Sequence, residues 1–192
     1  MSPSGPLAYA FWHWKRPEIA RSLYESRQRD FQGALAAEKP PGFLWSTTVR
    51  LKGAAWAAAG EPAYEDWYLV ADMGALERLN EAAVTASRQQ PHNEIAALAA
   101  GGTAGLYGLR GGEPLRLPAF ACWFAKPAAM SYPALSELLQ GLCDGEATAL
   151  WSRRMTLGPT PEFCLHSMRA LELPAGFAGQ RFSLEPVWQE SR

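Results

Sequence analysis

Cysteine is scarce in this chain of 192 residues: Cys122, Cys143 and Cys164 are the three, with no C-x-x-C spacing. An odd count without paired spacing argues against a disulfide framework and against a cysteine zinc site. Histidine is equally sparse. His13, His92 and His166 show neither H-x-x-x-H nor H-x-x-E-H spacing, so no metal site is expected. Neither sign of charge is in excess: eighteen Lys and Arg stand against nineteen Asp and Glu, a net charge of −1. This gives no electrostatic reason to expect nucleic acid or an anionic membrane as a partner. Long apolar runs are missing too. The nearest to the roughly 18 residues a spanning helix needs is Ile95 to Leu109, which glycines break. Met1-Ser2-Pro3-Ser4-Gly5-Pro6 lacks the basic and leucine-rich regions of a secretory signal, so a cytoplasmic location is expected. The glycine-rich stretch Gly101 to Gly112 matches neither phosphate-binding fingerprint, and no G-x-S-x-G occurs.

What is abundant is apolar and aromatic material. Hydrophobic residues make up 48% of the chain and eight are tryptophan, enough for a folded core. An internal repeat organises it. Ala8-Tyr9-Ala10-Phe11-Trp12 with Lys15 and Pro17 is echoed by Ala119-Phe120-Ala121-Cys122-Trp123 with Lys126 and Pro127. Leu44-Trp45-Ser46 is echoed by Leu150-Trp151-Ser152, and Glu65-Asp66-Trp67-Tyr68-Leu69 by Pro161-Glu162-Phe163-Cys164-Leu165. Three echoes in one order indicate duplication. The boundary falls at the turn-prone Gly111-Gly112-Glu113-Pro114, giving units of residues 1–112 and 113–192.

In the first unit, residues 7–15 alternate as a strand, with Tyr9, Phe11 and His13 on one face and Ala8, Ala10, Trp12 and Trp14 on the other. A helix follows, with Pro17 suited to its first turn and Ile19, Ala20, Leu23, Tyr24, Phe31 and Leu35 as its apolar stripe; it ends at Pro40-Pro41-Gly42. Phe43 to Leu51 and Trp67 to Ala71 read as strands, with a long hairpin loop from Gly53 to Tyr64 between them. Asp72 caps a second helix that Pro91-His92-Asn93 breaks. A short helix from Glu94 to Ala100, stopped by Gly101-Gly102, then leads to a fourth strand over 105–110. The order is βαββαβ. The second unit reads as strand (119–125), helix (132–142), strand (147–157) and strand (162–168), then a final strand near 181–187. Pro174 and two glycines occupy the interval where its second helix would stand, so that helix is absent.

Two βαββαβ units in one chain resemble the dimeric α+β barrel superfamily. The resemblance implies an α+β fold in which two ferredoxin-like units meet sheet to sheet, here as a tandem pseudo-dimer within one chain. Families of that architecture include cofactor-free monooxygenases, lactone isomerases, haem-binding enzymes and ligand-sensing domains, and a shared fold does not choose among them. It directs attention to a cavity between the two sheets.

The polar candidates for such a cavity are His13, His166, Arg153 and Tyr107, with Trp45 and Trp151 as aromatic walls. His13 and His166 are the candidate catalytic bases. The echo sets His166 against Val70. Arg153, on the face of Trp151 and Met155, would hold the anion of an aromatic or polyketide-like acid. His166 also shares a strand face with Cys164. The leading expectation is a small-molecule-binding protein or enzyme without a cofactor. A second is a haem protein with His166 or His13 as axial ligand, and a third is a structural or interaction protein. A further homodimer is left open. If the Tyr9, Phe11 and His13 face turns toward the helices, His13 becomes structural and Trp12 and Trp14 line the cavity.

Overall fold

Strict alternation makes β1 (Leu7–Lys15) a two-faced strand, and both faces are covered in the structure, a computed structural model describing residues 5–56, 62–143, 147–155 and 159–190. Helix α1 (Arg21–Ala37) crosses to β2 (Phe43–Leu51), which returns as β3 (Ala63–Val70). Pro17 lies in the turn before α1. Part of the expected hairpin loop, residues 57–61, lies outside the described residues. Asp72 caps α2 (Met73–Ala83) as its type predicts, its Oδ1 accepting from the Ala75 N–H at 2.8 Å.

Pro91 does not break a helix. It sits in the first turn of α3 (Gln89–Leu98), where its missing N–H has no partner to lose, and a short 3-10 turn at Ala86–Arg88 divides α3 from α2. Gly101 and Gly102 are likewise not a helix stop. They belong to β4 (Ala99–Gly112), where the Trp14 and Phe11 rings lie so close that a Cβ on either glycine would stand within 3 Å of them.

The second unit follows as β5 (Phe120–Phe124), α4 (Tyr132–Cys143), β6 (Thr148–Met155), β7 (Phe163–Ser167), β8 (Gly179–Ser183) and β9 (Glu185–Gln189). No helix separates β7 from β8, residues that are all described, in agreement with the sequence pattern. The sheet order is β8-β5-β7-β6-β4-β1-β3-β2-β9, antiparallel throughout. Each unit contributes four strands in the ferredoxin-like order. Only Leu184 separates β8 from β9, so the two ends of the order are one stretch of chain and the sheet is nearly closed.

Alternation then fills the inside of this barrel. Trp12, Trp45, Trp56, Trp67, Trp123 and Trp151 point inward with Tyr107, Phe182 and Leu184. Trp12 and Trp123 stack edge to face at 5.1 Å between centroids, and Trp67 meets Trp151 at 5.2 Å. Outside, α1, α2 and α3 pack over the sheet in a second core with Tyr24, Phe31, Tyr64, Tyr68 and Leu79, and α4, with Leu171, Leu173 and Phe177 of the β7–β8 connection, covers a smaller third one around Phe124, Leu135, Leu139 and Leu165. Among the described residues, no helix is long and apolar enough to cross a membrane.

Strand pairing also corrects the repeat. Trp12 stands opposite Glu65 as Trp123 stands opposite Cys164, and Ala10 opposite Trp67 as Ala121 opposite His166. The third echo therefore slips by three residues. His166 replaces Trp67, not Val70, Leu165 replaces Asp66, and Phe124 replaces His13.

Candidate functional site

The expected cavity between the sheets is occupied by side chains, and four of the candidates form part of that packing. Trp45 and Trp151 are buried in the tryptophan core, Trp45 with the Arg116 guanidinium 5.8 Å above its ring. Tyr107 is fully buried between Trp12, Trp67 and Trp123, its hydroxyl donating to Thr160 Oγ1 at 3.1 Å and to the Pro161 carbonyl at 3.3 Å. His166 joins the same interior, 4.4 Å from the Trp67 ring and with Nε2 3.8 Å from Glu65 Oε1. Glu65 is a fully buried carboxylate that accepts the indole N–H of Trp12 at 2.7 Å and that of Trp67. Burial and Glu65 together push the Cys164 thiol well up, the reverse of what an activated cysteine beside His166 requires.

The face of Tyr9, Phe11 and His13 does turn toward the helices. Trp12 accordingly points into the barrel, yet His13 is not left in solid packing. Between this sheet face and α1, α2 and α3 lies a cavity of about 590 Å³, within the range of small-molecule sites, whose lining includes His13, Tyr24, Gln28, Asp66 and Tyr68. Its walls are apolar: Phe11, Phe31, Leu35, Leu76 and Ile95.

The polar groups converge on one carboxylate. Asp66 Oδ2 accepts from Gln28 Nε2 at 2.6 Å and from the Tyr68 hydroxyl at 2.8 Å, and Oδ1 accepts from Thr48 Oγ1 at 2.6 Å. Gln32 donates in turn to the Tyr68 oxygen at 2.9 Å and is itself fixed by Ser46 at 2.6 Å. All these side chains are buried, so the network stays intact only while every member is paired.

His13 stands at its edge. Its ring is stacked between Phe11, 5.2 Å away, and Tyr64, 5.5 Å away. Nδ1 lies 2.6 Å from the Tyr24 hydroxyl, and Nε2 lies 3.4 Å from Asp66 Oδ2, buried and without an aligned hydrogen bond. Burial, then the charge of Asp66, push the Tyr24 phenol far above its usual range. Tyr24 is therefore neutral, and in the tautomer in which its hydroxyl donates to Nδ1 the imidazole proton stands on Nε2, facing Asp66.

Burial likewise raises Tyr64, Tyr68 and Tyr107. These phenols hold their protons more tightly folded than unfolded, so the stability they contribute is complete below the unfolded value near 10 and is lost as pH rises beyond it. The urea midpoint should therefore fall steeply above about pH 10, with tyrosinate absorbance at 295 nm appearing only as the chain unfolds.

Sequence reasoning missed Tyr24 and Asp66. Arg153 is not their neighbour: it lines a separate cavity in the second unit and donates through Nη1 to the Thr160 carbonyl at 2.9 Å. Nor do the two expected axial histidines suit a haem. His166 is enclosed by indoles, and both nitrogens of His13 face protein groups at the distances given above. Among the described residues, no cluster of His, Cys, Asp and Glu could hold a metal ion.

No family model matches the chain, and no curated protein does. Solved structures do. A candidate monooxygenase from Fusobacterium nucleatum subsp. nucleatum aligns over 100% of this chain and 96% of its own, with a TM-score of 0.71 and 11% identity. A candidate monooxygenase from Lactobacillus acidophilus aligns over 94% and 77%, with a TM-score of 0.51 and 11% identity. A point variant of chlorite dismutase from Candidatus Nitrospira defluvii aligns over 97% and 93%, with a TM-score of 0.50 and 13% identity. At such identities the likeness is one of fold. Together with the nearly closed sheet and the ferredoxin-like strand order of each half, it gives this chain a dimeric α+β barrel fold, with both halves in one polypeptide.

Proposed function

We propose that the helix-covered cavity of the first unit is an enzyme site that takes a proton from an enolisable or phenolic aromatic compound. The observation that carries this reading is the Tyr24–His13–Asp66 array, with a 2.6 Å contact at one end of the imidazole and a carboxylate 3.4 Å from the other. Tyr24 accepts the substrate proton as it passes its own to His13 Nδ1. The resulting imidazolium faces Asp66, whose charge offsets it, following the logic of an acid-oriented histidine. Phe11, Phe31 and Leu35 suit a planar apolar body, and Tyr68, whose phenol burial keeps neutral, supports the carboxylate. An enolate is also the electron-rich form in which such compounds meet dioxygen, in keeping with candidate monooxygenases among the similar structures.

The test is deuterium exchange at the benzylic C1 of 2-tetralone, a benzo-fused bicyclic ketone, followed by proton NMR in D2O. The protein should accelerate exchange. Ala96→Trp, at the exposed rim of the cavity, should remove the acceleration without disturbing the core. Exchange no faster than in buffer, or undiminished by the rim substitution, overturns the reading.

A further inference from the structure

A second cavity, of about 620 Å³, lies on the outer face of the second unit, between α4, β6 and the end of β4. Its origin is an asymmetry between the units. In the first unit, the Trp188 ring of β9 packs against Gly33 of α1, with its Cη2 3.8 Å from where a Cβ would stand. In the second, the strand beside β6 ends in Gly111 and Gly112, paired with Leu150 and Ala149, and presents no side chain to fill the space. The missing second helix leaves α4 as the only helix over this face among the described residues.

The groups left around the space are of two kinds. Leu135, Leu139, Leu150 and Phe163 make an apolar floor. Above it stand two guanidinium groups. Arg110 Nε donates to Ser152 Oγ at 2.7 Å, and Arg153 Nη1 donates to the Thr160 carbonyl at 2.9 Å. Neither has an acidic partner among the described residues. The one carboxylate in the lining, Glu162, already accepts from the Tyr132 hydroxyl at 3.0 Å, and the Lys126 ammonium stands 5.2 Å from the Tyr132 ring centroid. Positive charge is therefore in excess over an apolar floor, and each guanidinium keeps N–H groups that no atom among the described residues takes up.

We infer that this cavity binds an organic anion with an apolar body, an aryl or acyl carboxylate, through Arg110 and Arg153. A carboxylate takes two parallel N–H bonds from one guanidinium, a geometry that neutral analogues cannot match. The site is independent of the proton-transfer array: the two cavities share no lining residue.

Calorimetric titration with 2-naphthoate separates the outcomes. Saturable binding is expected, with at least about tenfold weaker affinity in Arg110→Gln and in Arg153→Gln, and for neutral 2-naphthol with the unaltered protein. Ser136→Trp, at the exposed rim of this cavity, should abolish it, and Ala96→Trp, at the rim of the first, should leave it unchanged. Thermal melts of each variant confirm folding. Absence of saturable binding, equal affinity in Arg110→Gln, or loss on Ala96→Trp but not on Ser136→Trp overturns the inference. None of these results bears on deuterium exchange in the first cavity.

Discussion

Asp66→Leu should destabilise the protein by about 3–5 kcal/mol, as measured by urea unfolding, and the cause is what it leaves behind rather than what it removes. Gln28, Thr48 and Tyr68 each direct a donor at this carboxylate, and all three are buried. Leucine answers none of them. Each donor left without an acceptor bears its own desolvation cost. The second unit shows that leucine is itself acceptable on this strand: Leu165 occupies the matching place, among Cys122, Phe124, Leu135 and Leu139, which ask for no partner. Adding Thr48→Val to Asp66→Leu should therefore recover part of the loss, because it withdraws one orphaned donor. A loss below about 1 kcal/mol in Asp66→Leu would mean that the network is not closed in solution.

His13→Phe should lower the rate of ketone exchange by about 10²- to 10⁴-fold. Phenylalanine keeps the stacking with Phe11 and Tyr64, and Phe124 already stands at the matching place in the second unit. It cannot receive the proton from Tyr24. Tyr24→Phe should cost about as much, for the complementary reason, and the double substitution should be no slower than either single one, because both interrupt a single transfer. The stabilities should behave differently. His13→Phe alone strands the Tyr24 hydroxyl in a buried site, and the double variant relieves that, so stability returns while rate does not. Equal rates in wild type and His13→Phe would remove His13 from the chemistry.

Most of the fold was legible because alternation is a local signal. Phe43–Leu51 and Tyr132–Cys143 lie within a residue of where periodicity places them, and the missing second helix follows from proline and glycine between β7 and β8. The site was harder to read. Asp66 lies in β3, every residue of which is buried, so no polar face marks it as unusual. A signal was nevertheless present: Glu65-Asp66 puts adjacent carboxylates on opposite faces of a strand, and where both faces are covered each acid must find partners. The three-residue slip in the third echo hid the comparison of Asp66 with Leu165, which separates the polar unit from the apolar one. Tyr24 was read only as part of an apolar stripe, since helical spacing reports which side chains are covered and not what their hydroxyls meet. The barrel interior could not be judged empty or full from alternation alone, because that depends on the summed volume of six indoles.

Closure of the sheet through Leu184 has a consequence for how the chain is made. The outer edge of β2 is paired by Glu185–Gln189, which follows every other described strand in sequence, so until that segment is made the first unit carries an open strand edge and an unsealed tryptophan interior. Neither is covered until residues 185–189 are free to pair. Folding of the first unit then depends on capture of β9 from beyond the second unit rather than on stepwise completion of the halves, and before that capture the open edge is exposed to chaperones and to pairing with other chains.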